Sequence, residues 1–400
     1  MTIDSVLLSE VADIQTGPFG SQLHNKDYVK EGTPIVTVEH LGSRRFTSQN
    51  LPFVSEKDKK RLSKYAMLEG DIIFSRVGSV DRCSYVSSKE NGWLFSGRCL
   101  RVRPTSKING LYLYYYLSSK PVGRYIRNVA VGATMPSINT SLLGEVPVSL
   151  PSFEEQSCIA SVLSSIDDKI EFNERTNDYL ANILDVLFNE IIAGRPHDWT
   201  AMSLLDIANY KNGLAMQRFR PVGGDKGLPV IKIRELRQGY CGADAERCRS
   251  DIDESVTIHD GDLIFSWSGT LLLDFWTGGD SGLNQHLFKV TSDTYPSWFY
   301  YMWTKQHMRR FISLAKNRAT TMGHIKRNEL RESKVLIPPP SRMEDLTAHI
   351  QPIVDEMIGL KVQSRKLGEL RDSLLPKLMS GEIDVSQIEL PMQLNNHLYG

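Results

Sequence analysis

The sequence predicts an α+β chain: two related lobes of mixed helix and strand, separated by two long helices that pair as an antiparallel coiled coil. Three observations predict it. The chain is written twice, with an offset that drifts from about 196 to 187 residues along its length. Each copy runs through short β-branched and aromatic segments bounded by turn residues and closes on a proline. After each proline the apolar residues fall in alternating four and three spacing, the seam of a coiled coil. The resulting divisions are a first lobe over 1–150, a central helix over 151–195, a second lobe over 196–340 and a C-terminal helix with its tail over 341–400.

The elements follow in order. Leu8-x-Glu10-Val11-Ala12-Asp13 matches Leu204-x-Asp206-Ile207-Ala208-Asn209, and both read as a short helix leading to a strand. Gly32-x-Pro34-Ile35-Val36 then matches Gly227-x-Pro229-Val230-Ile231. The sharpest match sets Gly70-Asp71-Ile72-Ile73-Phe74-Ser75 against Gly261-Asp262-Leu263-Ile264-Phe265-Ser266, an aspartate turn feeding a buried strand. An aromatic helix follows in each copy, Leu113-Tyr114-Tyr115-Tyr116-Leu117 and Phe299-Tyr300-Tyr301-Met302-Trp303, and then Thr134-Met135 against Thr321-Met322. Val148-Ser149-Leu150-Pro151 and Val335-Leu336-Ile337-Pro338 read as last strands stopped by proline. Loops that differ in length on a shared scaffold suggest two different recognition surfaces.

The first seam runs through Ile159, Leu163, Ile166, Ile170, Asn173, Asn177, Leu180, Leu184, Leu187 and Ile191. Adding 187 gives Leu346, Ile350, Ile353, Met357, Leu360, Ser364, Leu367, Arg371, Leu374 and Leu378. Two such helices can bury their stripes together; the alternative is that each stripe packs on its own lobe. In an antiparallel pair with aligned midpoints Asn173 falls opposite Ser364, and polar seam residues commonly fix register. Between Glu154 and Glu190 nine acidic residues face only Lys169 and Arg175. That run is either a solvated face or a docking surface for a basic or amphipathic partner protein.

Composition excludes several classes. A chain of 400 residues exceeds one ordinary core, and no apolar run approaches the ~20 residues that span a bilayer. Met1-Thr2-Ile3-Asp4-Ser5 has no basic stretch before an apolar segment, so the expectation is a cytoplasmic chain without a membrane partner. Five cysteines, Cys83, Cys99, Cys158, Cys241 and Cys248, include no Cys-x-x-Cys pair and read as free thiols. No zinc-binding His-Glu-x-x-His, phosphate-binding glycine loop or methyltransferase Asn-Pro-Pro-Phe type tetrapeptide occurs. Gly279-Asp280-Ser281-Gly282 lacks the histidine segment a serine protease needs. The adjacent acids Glu154-Glu155 and Asp167-Asp168 do not share a helix face and read as surface charge. The expectation is a protein without catalytic chemistry or a cofactor of its own.

Formal charge balances at 47 basic against 47 acidic residues, so a DNA-binding surface has to come from local segregation of charge. The strongest local run is Lys305, Arg309, Arg310, Lys316, Arg318, Lys326, Arg327 and Arg331 against Glu329. Lys120, Arg124 and Arg127 form a weaker equivalent in the first copy. Further clusters are Arg98, Arg101 and Arg103, and Lys232, Arg234 and Arg237. Such side chains neutralise phosphates. Base reading needs forked or amide groups on loops, for which Gln22, Asn25, Arg44, Arg45, Arg76 and Arg82 are candidates in the first copy, with Gln217, Arg218, Arg220, Gln285 and Arg318 in the second. A scaffold with two related protein-binding lobes and no DNA contact is the competing reading; salt sensitivity separates the two.

Three segments carry a family resemblance: Gly17-Pro18-Phe19-Gly20-Ser21, Gly70-Asp71-Ile72-Ile73-Phe74-Ser75-Arg76-Val77-Gly78-Ser79 and Leu150-Pro151-Ser152-Phe153-Glu154-Glu155-Gln156. The chain resembles the specificity subunit of Type I restriction–modification systems over nearly its whole length. The second copy departs from the pattern, since Ile337-Pro338-Pro339-Pro340-Ser341-Arg342-Met343 lacks the Glu-Gln pair and Trp267-Ser268-Gly269 replaces the arginine-bearing loop. The resemblance implies two target-recognition domains that each read half of a split double-stranded DNA sequence. It also implies paired helices that set the gap, two methylation subunits docked on them, and restriction subunits joining those. S-adenosylmethionine, ATP and magnesium are then expected only in the partner subunits. A rigid helix of about 36 residues spans ~54 Å, enough to hold two readers one DNA turn apart, ~34–36 Å.

Overall fold

The computed structural model describes residues 5–18, 22–317 and 324–385, with Asn25 and Asn317 described by backbone alone. Thr321-Met322 and the last three residues of Gly17-Pro18-Phe19-Gly20-Ser21 lie outside the described residues. Two compact units result, one of residues up to 168 joined by those from 368 onward, the other of residues 169–367.

In the first lobe the helical turn Leu8–Val11 leads into the strand Ala12–Thr16. That strand opens an antiparallel sheet whose order continues through Cys99–Pro104, Ile72–Ser75 and Cys83–Tyr85. A second sheet sets Tyr28–Val29, Phe53–Val54, Thr33–Val36 and Leu94–Phe95 side by side, the last two strands parallel. The strand Ile72–Ser75 divides two cores: Ile72 and Phe74 pack with the helices, whereas Ile73 faces the second sheet. Burial on both faces is why this segment is continuously apolar. Asp71 makes the turn before it, accepting from the Leu68 N–H at 2.7 Å and pairing with Arg103 at 2.7 Å.

The second lobe repeats this plan. Leu204–Ile207 leads into Asn209–Asn212, which pairs with Leu287–Thr291, followed by Leu263–Ser266 and Leu273–Phe275. Asp262 accepts from the His259 N–H at 2.8 Å and pairs with Lys289 at 2.8 Å. Leu263 and Phe265 face one core and Ile264 the other. The lobes differ at the aromatic helix. In the first it runs Gly110–Ser118 and breaks at Ser119, whose ψ is 148°, before a second helix Lys120–Val129 with proline in its first turn. Pro121 has no N–H to continue the ladder. The second lobe lacks that proline and keeps one helix, Ser297–Asn317.

Phe153–Ala193 and Pro340–Met379 are the long helices, of 41 and 40 residues. Ser152 and Glu155 form a reciprocal cap at the start of the first, with the Glu155 N–H donating to Ser152 Oγ at 3.2 Å and the Ser152 N–H to Glu155 Oε2 at 2.9 Å. Gln156, 1% exposed, accepts from the Asn109 N–H at 2.8 Å and donates to Pro151 O at 2.9 Å. It thereby ties the helix start to the aromatic helix. In the second lobe Gln351 takes this role, accepting from Ser297 Oγ at 3.1 Å and from the Trp298 N–H at 3.4 Å.

Every expected seam position on both helices is buried or half-buried. The two packings that competed in the sequence both occur. Ile159, Leu163 and Leu378 join the first lobe's core, and Leu184, Leu346, Ile350 and Met357 the second's. Within the second unit Asn173 Nδ2 donates to Ser364 Oγ at 3.3 Å and to Gln363 Oε1 at 2.8 Å, and Asn177 Nδ2 to Met357 O at 2.9 Å. Rising numbers on one helix meet falling numbers on the other, so the pair is antiparallel. Within the first unit Arg371 donates to Asp167 at 2.7 Å, and Tyr115 Oη donates to the other carboxylate oxygen at 2.7 Å. Burial works against the Arg371 charge, but Asp167 outweighs it and raises the guanidinium pKa.

The reading of the acidic pairs as surface charge is corrected for Asp167 and Glu155, because one is 5% exposed inside the seam and the other caps its helix. The acidic run is also partly neutralised within the chain. Arg44 reaches Asp168 at 2.6 Å and Lys305 reaches Asp185 at 2.6 Å. All five cysteines are free, and burial pushes the Cys83 and Cys99 thiols up to about 12. Among the described residues no helix is long and apolar enough to cross a membrane.

Replacing Asp167 by alanine leaves the partly buried Arg371 only its exposed neighbour Asp372 and takes the acceptor from Tyr115 Oη, so the first lobe should lose about 3 kcal/mol. Hydrogen exchange of peptides from the two lobes measures this; equal protection of the first lobe in Asp167→Ala and the parent would refute it. A second expectation concerns pH. Burial, aided by Arg310, lowers the pKa of His307, which stacks between Trp303 and Phe311. The folded pKa lies below the unfolded value of 6.5, so the neutral ring's stabilisation is complete above that pH and is lost as pH falls through the interval beneath it. His307→Gln should remove that acid-side loss in the second lobe; parallel stability–pH curves for the two proteins below pH 6.5 would contradict it.

Candidate nucleic-acid interface

One edge of each lobe is laced together by the same backbone hydrogen bonds. In the first lobe Gly17 N donates to Cys99 O at 3.2 Å, Ser96 N to Val36 O at 2.8 Å, Arg76 N to Arg98 O at 2.8 Å and Ile138 N to Arg76 O at 2.9 Å. In the second, Gly213 N donates to Leu287 O at 3.0 Å, Asn284 N to Ile231 O at 3.2 Å, Trp267 N to His286 O at 3.4 Å and Ile325 N to Trp267 O at 2.8 Å. The two glycines are required by closeness: a Cβ on Gly17 would lie 2.1 Å from Ser96 O, and one on Gly213 2.2 Å from Leu283 O. Each lobe therefore presents loops that follow its framework strands, fixed by main-chain bonds that leave side chains free to differ.

The first lobe sorts its candidates into inward and outward groups. Arg101 is 5% exposed and donates to Asp13 at 3.1 Å and to the carbonyls of Lys64 and Ala66. Burial lowers its pKa, and it braces the sheet, which corrects its assignment to the DNA surface. Arg44, with 11% of its side chain exposed, donates to Ser164 O at 3.2 Å as well as to Asp168. It joins loop to helix, a second correction. Gln22 accepts from Tyr65 Oη at 2.6 Å. Arg76 donates to Gly97 O at 3.2 Å, and Arg45 is half-buried. Arg127 is ion-paired with Asp81. Arg82, Arg98 and Arg124 are exposed, Arg82 lying against Gly42. The side chain of Asn25 lies outside the described residues.

In the second lobe Gln217, Arg218 and Arg220 are exposed on one loop, with Gln217 and Arg220 lining a shallow depression. Lys232, Arg234 and Gln285 are brought together around another, with His286. Lys232 pairs with Glu246 at 2.7 Å, Arg234 with Glu235 at 2.8 Å and Asp244 at 2.9 Å, and Arg237 donates to Thr270 Oγ1 at 3.0 Å. Lys316 and Lys326 are exposed, and Arg318 lies outside the described residues. The basic run from Lys305 to Arg331 is not one patch: Lys305 turns to the central helix, Arg310 bonds Glu329 O and Ser333, and Arg327 donates to Tyr210 O at 3.0 Å. Helix and sheet geometry disperses what linear proximity suggested.

Ser268, His286 and His324 join this edge without having been singled out by the sequence. Trp267 packs against His286, Phe288 and His324 with ring centroids 5.8–6.2 Å apart, and His286 Nδ1 lies 3.1 Å from Ser268 Oγ. The available signal was the replacement of Arg76 by Trp267 at matched positions. Among the described residues no group of three or more His, Cys, Asp or Glu side chains could hold a metal ion.

Comparison with known proteins agrees with this duplicated plan. The Type I restriction enzyme MjaIX specificity subunit of Methanocaldococcus jannaschii is 24% identical, over 91% of this chain and 89% of that protein. The HindI specificity subunit of Haemophilus influenzae is 20% identical, over 82% and 89%. A crystal structure of a Type I restriction–modification S subunit from M. genitalium shares the fold, with a TM-score of 0.56 at 17% identity, covering 94% of this chain and 96% of that one. The family described as Type I restriction modification DNA specificity domain matches residues 2–182 and again 196–366. By that double match, and by the double lacing of its loops, the chain belongs to the Type I restriction–modification DNA specificity family.

Proposed function

We propose that the chain is the non-catalytic specificity subunit of a Type I restriction–modification complex, in which each lobe reads one half of a split DNA sequence. The observation that carries this is the repeated edge: identical backbone lacing, lined by different side chains in the two lobes. A scaffold built twice with different exposed groups suits recognition of two different half-sites on double-stranded DNA. Arg82, Arg98, Arg124, Gln217, Arg218, Arg220, Gln285, Lys316 and Lys326 are exposed and are the groups we assign to DNA, the cations to phosphates and the forked or amide ends to bases. The antiparallel helices set the spacer between half-sites. S-adenosylmethionine, ATP and magnesium are assigned to the methylation and restriction subunits.

The central helix supports docking of a methylation subunit. Phe172, Tyr179, Ile183 and Val186 recur at spacings of seven, four and three on one stripe, and are 48–70% exposed. Glu174, Asp178 and Glu190 are exposed on the same helix. A partner with an apolar strip edged by lysine or arginine fits this face. Tyr179→Asp combined with Ile183→Asp should abolish co-purification of the methylation subunit while both lobes keep their hydrogen-exchange protection. Undiminished co-purification would remove this face from the interface.

The function itself is tested by sequencing DNA methylation in a host carrying this chain and its neighbouring methylation subunit, against the same host without the chain. A new split motif modified in both halves is expected. Unchanged methylation from an assembled complex would favour a protein scaffold without DNA reading.

A further inference from the structure

The matched hydrogen bonds align the two lobes residue by residue at one corner. Ser96, Gly97 and Arg98 correspond to Asn284, Gln285 and His286, and Arg76 corresponds to Trp267. The chemistry of the corner changes completely between lobes. In the first, Arg76 holds the loop through Gly97 O at 3.2 Å and Arg98 is exposed. In the second, Gln285 is exposed and its Nε2 lies 3.4 Å from His286 Nε2, while His286 Nδ1 lies 3.1 Å from Ser268 Oγ. Trp267 backs the imidazole ring.

The structure assigns this corner as a base-selecting site that reads guanine through Arg98 in one lobe and adenine through Gln285, one aligned position earlier, in the other, with His286, the counterpart of Arg98, as a positioning residue. The assignment rests on the reading of the chain as a DNA-specificity subunit. A guanidinium presents two parallel donors, matching guanine O6 and N7. A carboxamide presents one acceptor and one donor, matching adenine N6–H and N7. Gln285 can do this only if its oxygen and nitrogen ends are not interchanged. One amide hydrogen donated to His286 Nε2 fixes them: the imidazole then carries its proton on Nδ1 and donates it to Ser268 Oγ. The second amide hydrogen and the oxygen remain for the base. An amide turned end for end would set oxygen against the lone pair of His286 Nε2, and would also set oxygen against adenine N7.

The test is selection of bound duplexes from a DNA library with two randomised segments, using the full chain assembled with its methylation subunit. The parent complex should fix an adenine in one half-site and a guanine in the other at the corner position. Gln285→Ala should lower adenine discrimination at that one position by between about fivefold and a hundredfold, leaving the other half-site unchanged. His286→Phe, which keeps ring packing but removes the acceptor, should relax the same adenine and no other base. Arg98→Ala should relax the guanine alone. Retention of every base preference in Gln285→Ala, or relaxation by His286→Phe spread over the whole half-site, would overturn the assignment while leaving the specificity-subunit reading intact. A parent complex that enriches no sequence would overturn that reading and this inference together.

Discussion

A carboxylate removed from water between two helices has to meet a cation and a hydrogen-bond donor in fixed positions, because an unmatched buried charge destabilises more than the pairing gains. Asp167 meets both, in Arg371 from the C-terminal helix and Tyr115 from the aromatic helix of the first lobe. The three groups belong to different elements, so one interaction sets helix against helix and helix against lobe. A slip by one turn would leave Asp167 facing carbon. Asn173 and Asn177 act likewise in the other unit, through Ser364, Gln363 and the Met357 carbonyl. An apolar seam alone would permit neighbouring registers; its polar layers single out one.

The lobes are fastened to the helices by charges of opposite sign. The first lobe offers Arg44 to Asp168 on the central helix. The second offers Asp274 and Asp260 to Lys361 and Arg365 on the C-terminal helix, at 2.7 Å each. This explains part of the acidic bias of one helix without any outside partner. The lobes' own framework is conserved between copies down to the aspartate turn and its basic partner, Asp71 with Arg103 and Asp262 with Lys289. At the laced edge the copies differ in side chains on loops whose main chain is already satisfied, so a change there need not disturb the core.

Much of this was legible in the sequence because it recurs with a period. The repeat, the long helices and the facing of Asn173 and Ser364 follow from offsets and heptad spacing, which are properties of the linear chain. Individual contacts were less legible. Arg101 and Arg44 look like Arg98 in one dimension; the strand Cys99–Pro104 buries the first, and a loop folded back on the central helix takes the second. The run from Lys305 to Arg331 scatters because a helix and a turn point its members in different directions. Gln351 replaces the missing Glu-Gln pair from eight positions beyond Met343, a substitution across sequence that no alignment of the copies reveals.

The first lobe is assembled from both ends of the chain: Leu374, Leu375, Leu378 and Val385 pack into the core built by residues before 164, and Cys158 lies 3.6 Å from Val385 O. The second lobe is a single contiguous stretch, residues 169–367. On a ribosome that difference imposes an order. The lobe made second is the first whose full complement of residues is available, while the lobe made first waits, with Leu163 and Ile159 uncovered, for the last helix to be synthesised. The first lobe is therefore closed only after every residue of the second has been made.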